Sequence, residues 1–284
     1  PCEEKCRCGS TGGEPIAVRT LKRFVVDRVP AESYVPDVRP AKPDAPRIAV
    51  VGAGPAGLTA AHCLGAVGSR VTLFEREAEA GGMLLAAIPE YRLPRETLRK
   101  EIQALINPNV ELRCHQALGR DFTLDGLLGP QGYKAVYLAL GSHHSRKLGV
   151  PGEDVQGVIP GIQFLKAYNL HGQDMARGRV GIVGGGNSAV DAARVAIRQK
   201  GVESVTIYYR RTRAEMPAYK EEIEAALAEG VVLQTLVSPV EVLSRDGRVA
   251  GVRLLTNTLG ERDASGRQQP VPVPGSEHDV ELDT

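Results

Sequence analysis

Two glycine-rich hexads hold the chemistry that this sequence can do. Gly52-Ala53-Gly54-Pro55-Ala56-Gly57 has the spacing G-x-G-x-x-G, and Gly184-Gly185-Gly186-Asn187-Ser188-Ala189 has G-x-G-x-x-A. Spacing alone is weak evidence. Here each hexad follows a short apolar run, Ile48 to Val51 and Val180 to Val183, and opens a segment that reads as a helix. Strand, glycine turn and helix in that order make a dinucleotide-binding turn. Gly52 permits the tight turn, Gly54 lets the backbone approach a pyrophosphate, and Gly57 lets the helix pack close to the strand. The pyrophosphate then meets free N–H groups and the positive end of the helix dipole. The candidate binding residues are Gly52, Gly54, Pro55, Ala56 and Gly57 in the first turn. In the second they are Gly184, Gly186, Asn187 and Ser188.

The residues after the next strand of each copy differ in sign. Val71 to Phe74 ends at Glu75, 23 residues after Gly52, with Arg76 following. A carboxylate there accepts hydrogen bonds from a ribose and repels a 2′-phosphate. The matching run, Val205 to Tyr208, ends instead at Tyr209 and leads into Arg210, Arg211 and Arg213. Guanidinium groups pair with phosphate oxygens in bidentate fashion. The first turn is therefore expected to take a nucleotide with a free ribose and the second one with a phosphorylated ribose. FAD and NADPH satisfy both. The paired glycines Gly81-Gly82, before Met83 and Leu84, predict backbone passing close to the first ligand.

These turns need elements to hold them. The first copy reads as a βαβ unit, with a helix over Glu96 to Leu105 and strands at Val110 to Arg113 and Ala135 to Leu140. The pattern recurs, Gly184 lying 132 residues after Gly52. A repeat of that period predicts an α/β fold of two doubly wound, Rossmann-like domains of the FAD/NAD(P)-binding type. A charged helix is expected over 218–229, and paired strands at Glu241 to Leu243 and Val249 to Leu255 around Asp246-Gly247. Ahead of the first strand lie a cysteine-rich head, a short helix over Thr20 to Val29, and a proline-rich connector. The expected boundaries are 1–45 for the head and linker, 46–155 for the first half of the FAD domain, and 156–284 for the NADPH domain.

Composition narrows the partners. Basic and acidic residues number 35 and 34, giving a formal charge of +1, and there is no Trp. Neither a field for nucleic acid or anionic lipid nor a base-stacking surface is expected. No apolar run approaches the roughly 18 residues of a membrane span, and no secretory signal is visible. Five cysteines, an odd number, fit a reducing cytoplasmic compartment better than a disulfide framework. Cys63 and Cys114 read as small buried apolar residues. His143 and His144 read as loop residues. The chain opens on Pro1 and closes on Asp283-Thr284, and both ends look cut.

The sequence resembles the small (beta) subunit of NADPH-dependent glutamate synthase, a module shared with the amino-terminal half of dihydropyrimidine dehydrogenase and with ferredoxin-dependent NADPH transhydrogenases. Cys2-Glu3-Glu4-Lys5-Cys6, Glu14 to Ala17, Leu21 to Phe24, the first glycine turn, Gly81 to Leu84, Ile88-Pro89, Tyr91 to Pro94, Gly184 to Asp191, Tyr209 to Arg211 and Met216 to Ala218 carry the likeness over essentially the whole chain. The resemblance implies an amino-terminal helical domain with [4Fe–4S] clusters in the full-length protein. Cys2 and Cys6 match its last cysteine pair, and four thiolates are needed per cluster. It also implies a discontinuous FAD domain, whose later part carries a Gly-Asp pair not found in this sequence, so the domain is expected to be truncated. Gly141, in Ala139-Leu140-Gly141, stands at the family's crossover between domains.

On that resemblance the chain is a flavoprotein oxidoreductase. It takes hydride from NADPH onto FAD and passes electrons to iron–sulfur clusters, an electron-accepting large subunit or a ferredoxin-like protein. Hydride transfer to a flavin requires no side-chain acid or base, so no catalytic residue is assigned. A thioredoxin-reductase-like chemistry would need a Cys-x-x-Cys pair, which is missing. The competing reading is a non-catalytic nucleotide-binding or assembly module of a larger redox complex.

Overall fold

The structure, a computed structural model, describes residues 3, 5–30, 33, 37–264 and 266–284. In chain order its elements begin with α1 (Arg7–Ser10), α2 (Val18–Val26), β1 (Arg47–Val51), α3 (Pro55–Ala66) and β2 (Arg70–Phe74). Next come α4 (Met83–Ala86), α5 (Arg95–Leu105), β3 (Val110–Arg113), α6 (Leu124–Leu128), β4 (Ala135–Leu138) and α7 (Gly161–His171). Then follow β5 (Gly178–Val183), α8 (Asn187–Ala196), β6 (Val202–Tyr209), α9 (Lys220–Ala228) and β7 (Val232–Thr235). The last are β8 (Val237–Arg245), β9 (Arg248–Arg262), β10 (Gln268–Pro272) and β11 (His278–Glu281). The fold is α/β, and both glycine turns join a parallel strand to a helix.

The chain divides into two compact units, Pro1–Gly82 with Arg95–Leu140, and Met83–Pro94 with Gly141–Thr284. This division falls at Leu140 rather than at 155, and it moves Met83–Pro94 out of the stretch around it. The first unit is built on a parallel sheet of order β3-β2-β1-β4. Its strands alternate between two cores. Val50 and Leu73 face α3 with Leu58 and Ala61, while Ala49, Val51 and Phe74 face Phe122, Leu127 and Tyr133. Burial on both faces is why β1 and β2 are short and largely apolar.

The second unit pairs β5-β6-β7 in parallel, with an antiparallel sheet in which β9 is flanked by β8, β10 and β11. Val205, Ile207 and Tyr209 of β6 point into the core beneath α8, and Tyr208 points the other way onto Val252 and Leu254. β9 runs from Arg248 to Arg262, well past the Val249 to Leu255 expected, because its outer half pairs with β10. Cys63 is exposed on the outer face of α3, not buried as its type predicts, and Cys114 is half-buried, where burial pushes its thiol up. His143 and His144 lie in the loop before α7.

Candidate functional site

In the first unit the geometry of the turn follows from its smallest residues. A β-carbon on Gly57 would collide with the carbonyl oxygen of Gly52, so only glycine lets α3 start this close to the strand. Gly54 is the N-cap of α3, with Pro55 as first helical residue and no side chain capping the helix. The early amides of α3, at Ala56 and Gly57, therefore have no intrahelical acceptor. Gly81 donates to the Ala53 carbonyl at 2.8 Å, which brings Gly82 against Gly54 backbone to backbone.

Glu75 sits under this turn. It is 6% exposed; one carboxylate oxygen accepts the Ala53 N–H at 2.8 Å and the other the Glu77 N–H at 2.9 Å. Each bond uses one lone pair of its oxygen, and a carboxylate has about four acceptor sites, so capacity is left for a ribose. Arg76, next along, is exposed and pairs with Glu77 at 3.2 Å. Thus Gly52, Gly54, Pro55, Ala56, Gly57, Glu75, Arg76 and Gly82 are brought together in one unit. Met83 and Leu84 are not: they open α4, and Met83 packs on the core of the second unit. Gly141, with φ of +71°, begins the main part of that second unit.

The second turn has the same plan with different supports. Gly186 is the N-cap of α8, again without a side-chain cap, and a β-carbon there would meet nothing within 4 Å. Gly185 is held by the ring of Tyr209, whose Cε2 a β-carbon would approach to 2.5 Å. Asn187 spends its side-chain oxygen on the Tyr219 N–H at 3.0 Å, which fixes the start of α9, while Ser188 is exposed. Gly186, Asn187 and Ser188 also form one wall of a cavity of about 850 Å³ with an apolar floor at Val180, Phe164 and Leu282.

The arginines after β6 divide. Arg210 is exposed at the strand tip, and its side chain has no partner among the described residues. Arg211 turns inward, contrary to the expectation of a phosphate ligand. It is 4% exposed, its Nη2 lies 2.8 Å from an Asp263 carboxylate oxygen, and its Nε donates to the Gln268 carbonyl at 2.5 Å. Arg213 reaches Glu224 only at 3.5 Å. The loop from 210 to 218 is tied back twice: Tyr209 donates its hydroxyl to the Glu215 carbonyl at 2.8 Å, and Ala218 donates to Gly185 at 3.1 Å. Tyr209 and Ala218 are supports that motif spacing alone does not single out.

A family model described as pyridine nucleotide-disulphide oxidoreductase matches residues 46–265. The chain belongs to this family. Among relatives of this chain is the NADP(+)-dependent formate dehydrogenase subunit beta of Moorella thermoacetica, 42% identical over 98% of this chain and 42% of that protein. Another is the glutamate synthase [NADPH] small chain of Escherichia coli, 33% identical over 99% of this chain and 61% of that one. The chain thus spans between two fifths and two thirds of the length of these relatives. Among solved structures, FprA of Mycobacterium tuberculosis in complex with NADPH shares the fold, with a TM-score of 0.72 and 22% identity, over 86% of this chain and 69% of that one. The family implies binding of FAD and a pyridine nucleotide. The uncapped helix starts, the open space over Gly186 and the buried carboxylate of Glu75 fit those two groups.

The segment Met83–Pro94 explains part of what the sequence left open. Arg92 places Nη1 within 2.8 Å of both Asp191 oxygens and Nε 3.0 Å from Glu222. Glu222 continues to Arg194 at 2.5 Å, and Glu229 joins Arg194 to Arg198 at 2.6 and 2.7 Å. The ring of Tyr91 lies beneath both guanidinium groups, 4.4 Å from Arg194 and 4.6 Å from Arg198. Burial pushes the Asp191 carboxyl up more than the neighbouring Arg92 pulls it down. Hydrogen bonds from Arg198 and Arg194 hold Glu229 down at about 2. Tyr91 and Arg92 therefore fasten α8 and α9 of the second unit.

At the head of the chain, Cys6 accepts the Ile16 N–H at 3.4 Å, and that bond leads the causes that lower its thiol. Cys2, its expected partner, lies outside the described residues. No group of three or more His, Cys, Asp or Glu able to hold a metal occurs among the described residues. A cluster takes four thiolates, so the described residues do not make one. No helix among the described residues is long and apolar enough to cross a membrane.

Proposed function

We propose that this chain binds FAD at Gly52–Gly57 and NADPH at Gly184–Ser188, takes hydride from NADPH, and delivers the electrons to a partner subunit or ferredoxin-like protein. The observation that carries the reading is the opposite charge at two matching strand tips: Glu75 after β2 and the exposed Arg210 after β6. Bound flavin supplies a centre that accepts two electrons and releases them singly. The protein's own part is placement. The first amides of α3 and α8 hold the two pyrophosphates, Glu75 takes the ribose of the flavin nucleotide, and Arg210 takes the 2′-phosphate.

The beta-subunit names of relatives support a partner subunit, which we read as the electron acceptor, and the glutamate synthase small chain is the specific role we favour. To test the reading, the chain is loaded with FAD and titrated anaerobically with NADPH, following flavin absorbance. Bleaching by NADPH is expected. Arg210→Ala should weaken NADPH about tenfold or more, the scale of one charge-assisted hydrogen bond, and leave NADH nearly unchanged. Equal loss for both nucleotides would overturn the NADPH assignment.

A further inference from the structure

Arg211 has a task that its burial makes specific. The turn from β9 to β10 is closed on Asp263, whose N–H donates to the Arg267 carbonyl at 2.8 Å and whose side chain accepts the Arg267 N–H at 3.2 Å. Its other carboxylate oxygen meets the Arg211 guanidinium at 2.8 Å, and the Gln268 carbonyl takes Nε of the same group. The base of this hairpin grips the strand tip too. Asn257, 2% exposed, donates to the Arg210 carbonyl at 3.2 Å and to Ser238 at 2.9 Å. The hairpin thus brings a carboxylate to the residue next to Arg210, and Arg211 neutralises it.

We propose that Arg211 is a positioning residue for nucleotide choice: it masks the Asp263 carboxylate beside the tip of β6, so that Arg210 rather than a carboxylate sets the sign felt by the ribose 2′ position. This rests on the reading of the second turn as the NADPH site. An acid at such a tip favours a free 2′-hydroxyl and repels a 2′-phosphate; the first unit uses Glu75 in that way. Removing Arg211 takes away the guanidinium that pairs with the Asp263 carboxylate. Discrimination against the wrong ligand is often set by such a repulsive group. Loss of Arg211 therefore installs, in the second unit, the charge that the first unit carries by sequence.

The test uses the full chain and two probes that differ only in the 2′-phosphate, 2′,5′-ADP and 5′-AMP, titrated by calorimetry. Wild type should prefer 2′,5′-ADP. Arg211→Met keeps the aliphatic stem that fills the site and should cut that preference about tenfold, or ~1.4 kcal/mol, mostly through weaker 2′,5′-ADP. Adding Asp263→Asn in the same chain should restore it. Asp263→Asn alone should keep or strengthen the preference, and it serves where Arg211→Met does not fold. Equal weakening of both probes by Arg211→Met overturns the proposal, as does failure of Asp263→Asn to restore the preference or its loss in Asp263→Asn alone. No preference in wild type would instead bring down the NADPH reading itself, and this proposal with it.

Discussion

The Arg92 guanidinium grips both oxygens of Asp191 within 2.8 Å, although the two residues lie 99 positions apart in the chain. Asp191 is one turn into α8 and only 4% exposed, so the pair has little water to fall back on. Breaking a buried pair by removing one partner typically costs about 3–5 kcal/mol. Arg92→Ala is therefore expected to lower the unfolding free energy of the second unit by about 3 kcal/mol, read from urea denaturation. A change under about 0.5 kcal/mol, the range of an ordinary surface substitution, would mean that the pair does not anchor the segment.

Acid should loosen the same ladder from its other end. Glu229 is held at about 2 against an ordinary value of 4.5, so folding favours its charged form. A carboxyl lowered in the folded state contributes stability that is fully present above 4.5 and disappears as pH falls through about 2. In Glu229→Gln that contribution is gone at every pH. The variant should be less stable than wild type at neutral pH and converge on it toward pH 2, as followed by chemical denaturation across that window.

Glu75 has a dual position, bonded to the amide of Ala53 and facing the expected ribose. Glu75→Ala is expected to lower FAD affinity about tenfold or more, the scale of a lost hydrogen bond to a charged group. Flavin retained after gel filtration measures it. Titration with 2′,5′-ADP should not change, because that probe belongs to the second turn.

Two glycines give opposite outcomes for one added methyl. At Gly57 a β-carbon meets the Gly52 carbonyl, so Gly57→Ala should displace α3 and reduce thermal stability. At Gly186 nothing lies within 4 Å and φ is −90°, so Gly186→Ala should leave the melting temperature unchanged or slightly higher. Its methyl would occupy the space a pyrophosphate approaches, and calorimetry should show nucleotide binding lost at unchanged stability.

Much of this arrangement is legible before any coordinates. Both turns, the strands before them and the acid at Glu75 follow from local pattern, because a short apolar run leading straight into a glycine turn marks a strand-to-helix junction without help from distant residues. Arg211 was not legible. The sequence supplies its charge, but its direction is decided by Asp263, 52 residues away and delivered by a hairpin longer than its apolar alternation shows. Arg92 is a similar case, since a loop arginine carries no periodicity. Cys63 misleads for a different reason: helix position, not residue type, set its exposure.

The way the backbone passes between the two units limits how the gene can be cut. It leaves the first after Gly82, returns at Arg95 and leaves again after Leu140. A clone ending at 140 would carry Tyr91 and Arg92 with none of their partners on α8 and α9, and one starting at 141 would leave Asp191 buried without its cation. Neither piece is a faithful miniature of the whole, and expression trials that split this protein at a single codon should expect aggregation from the orphaned strap.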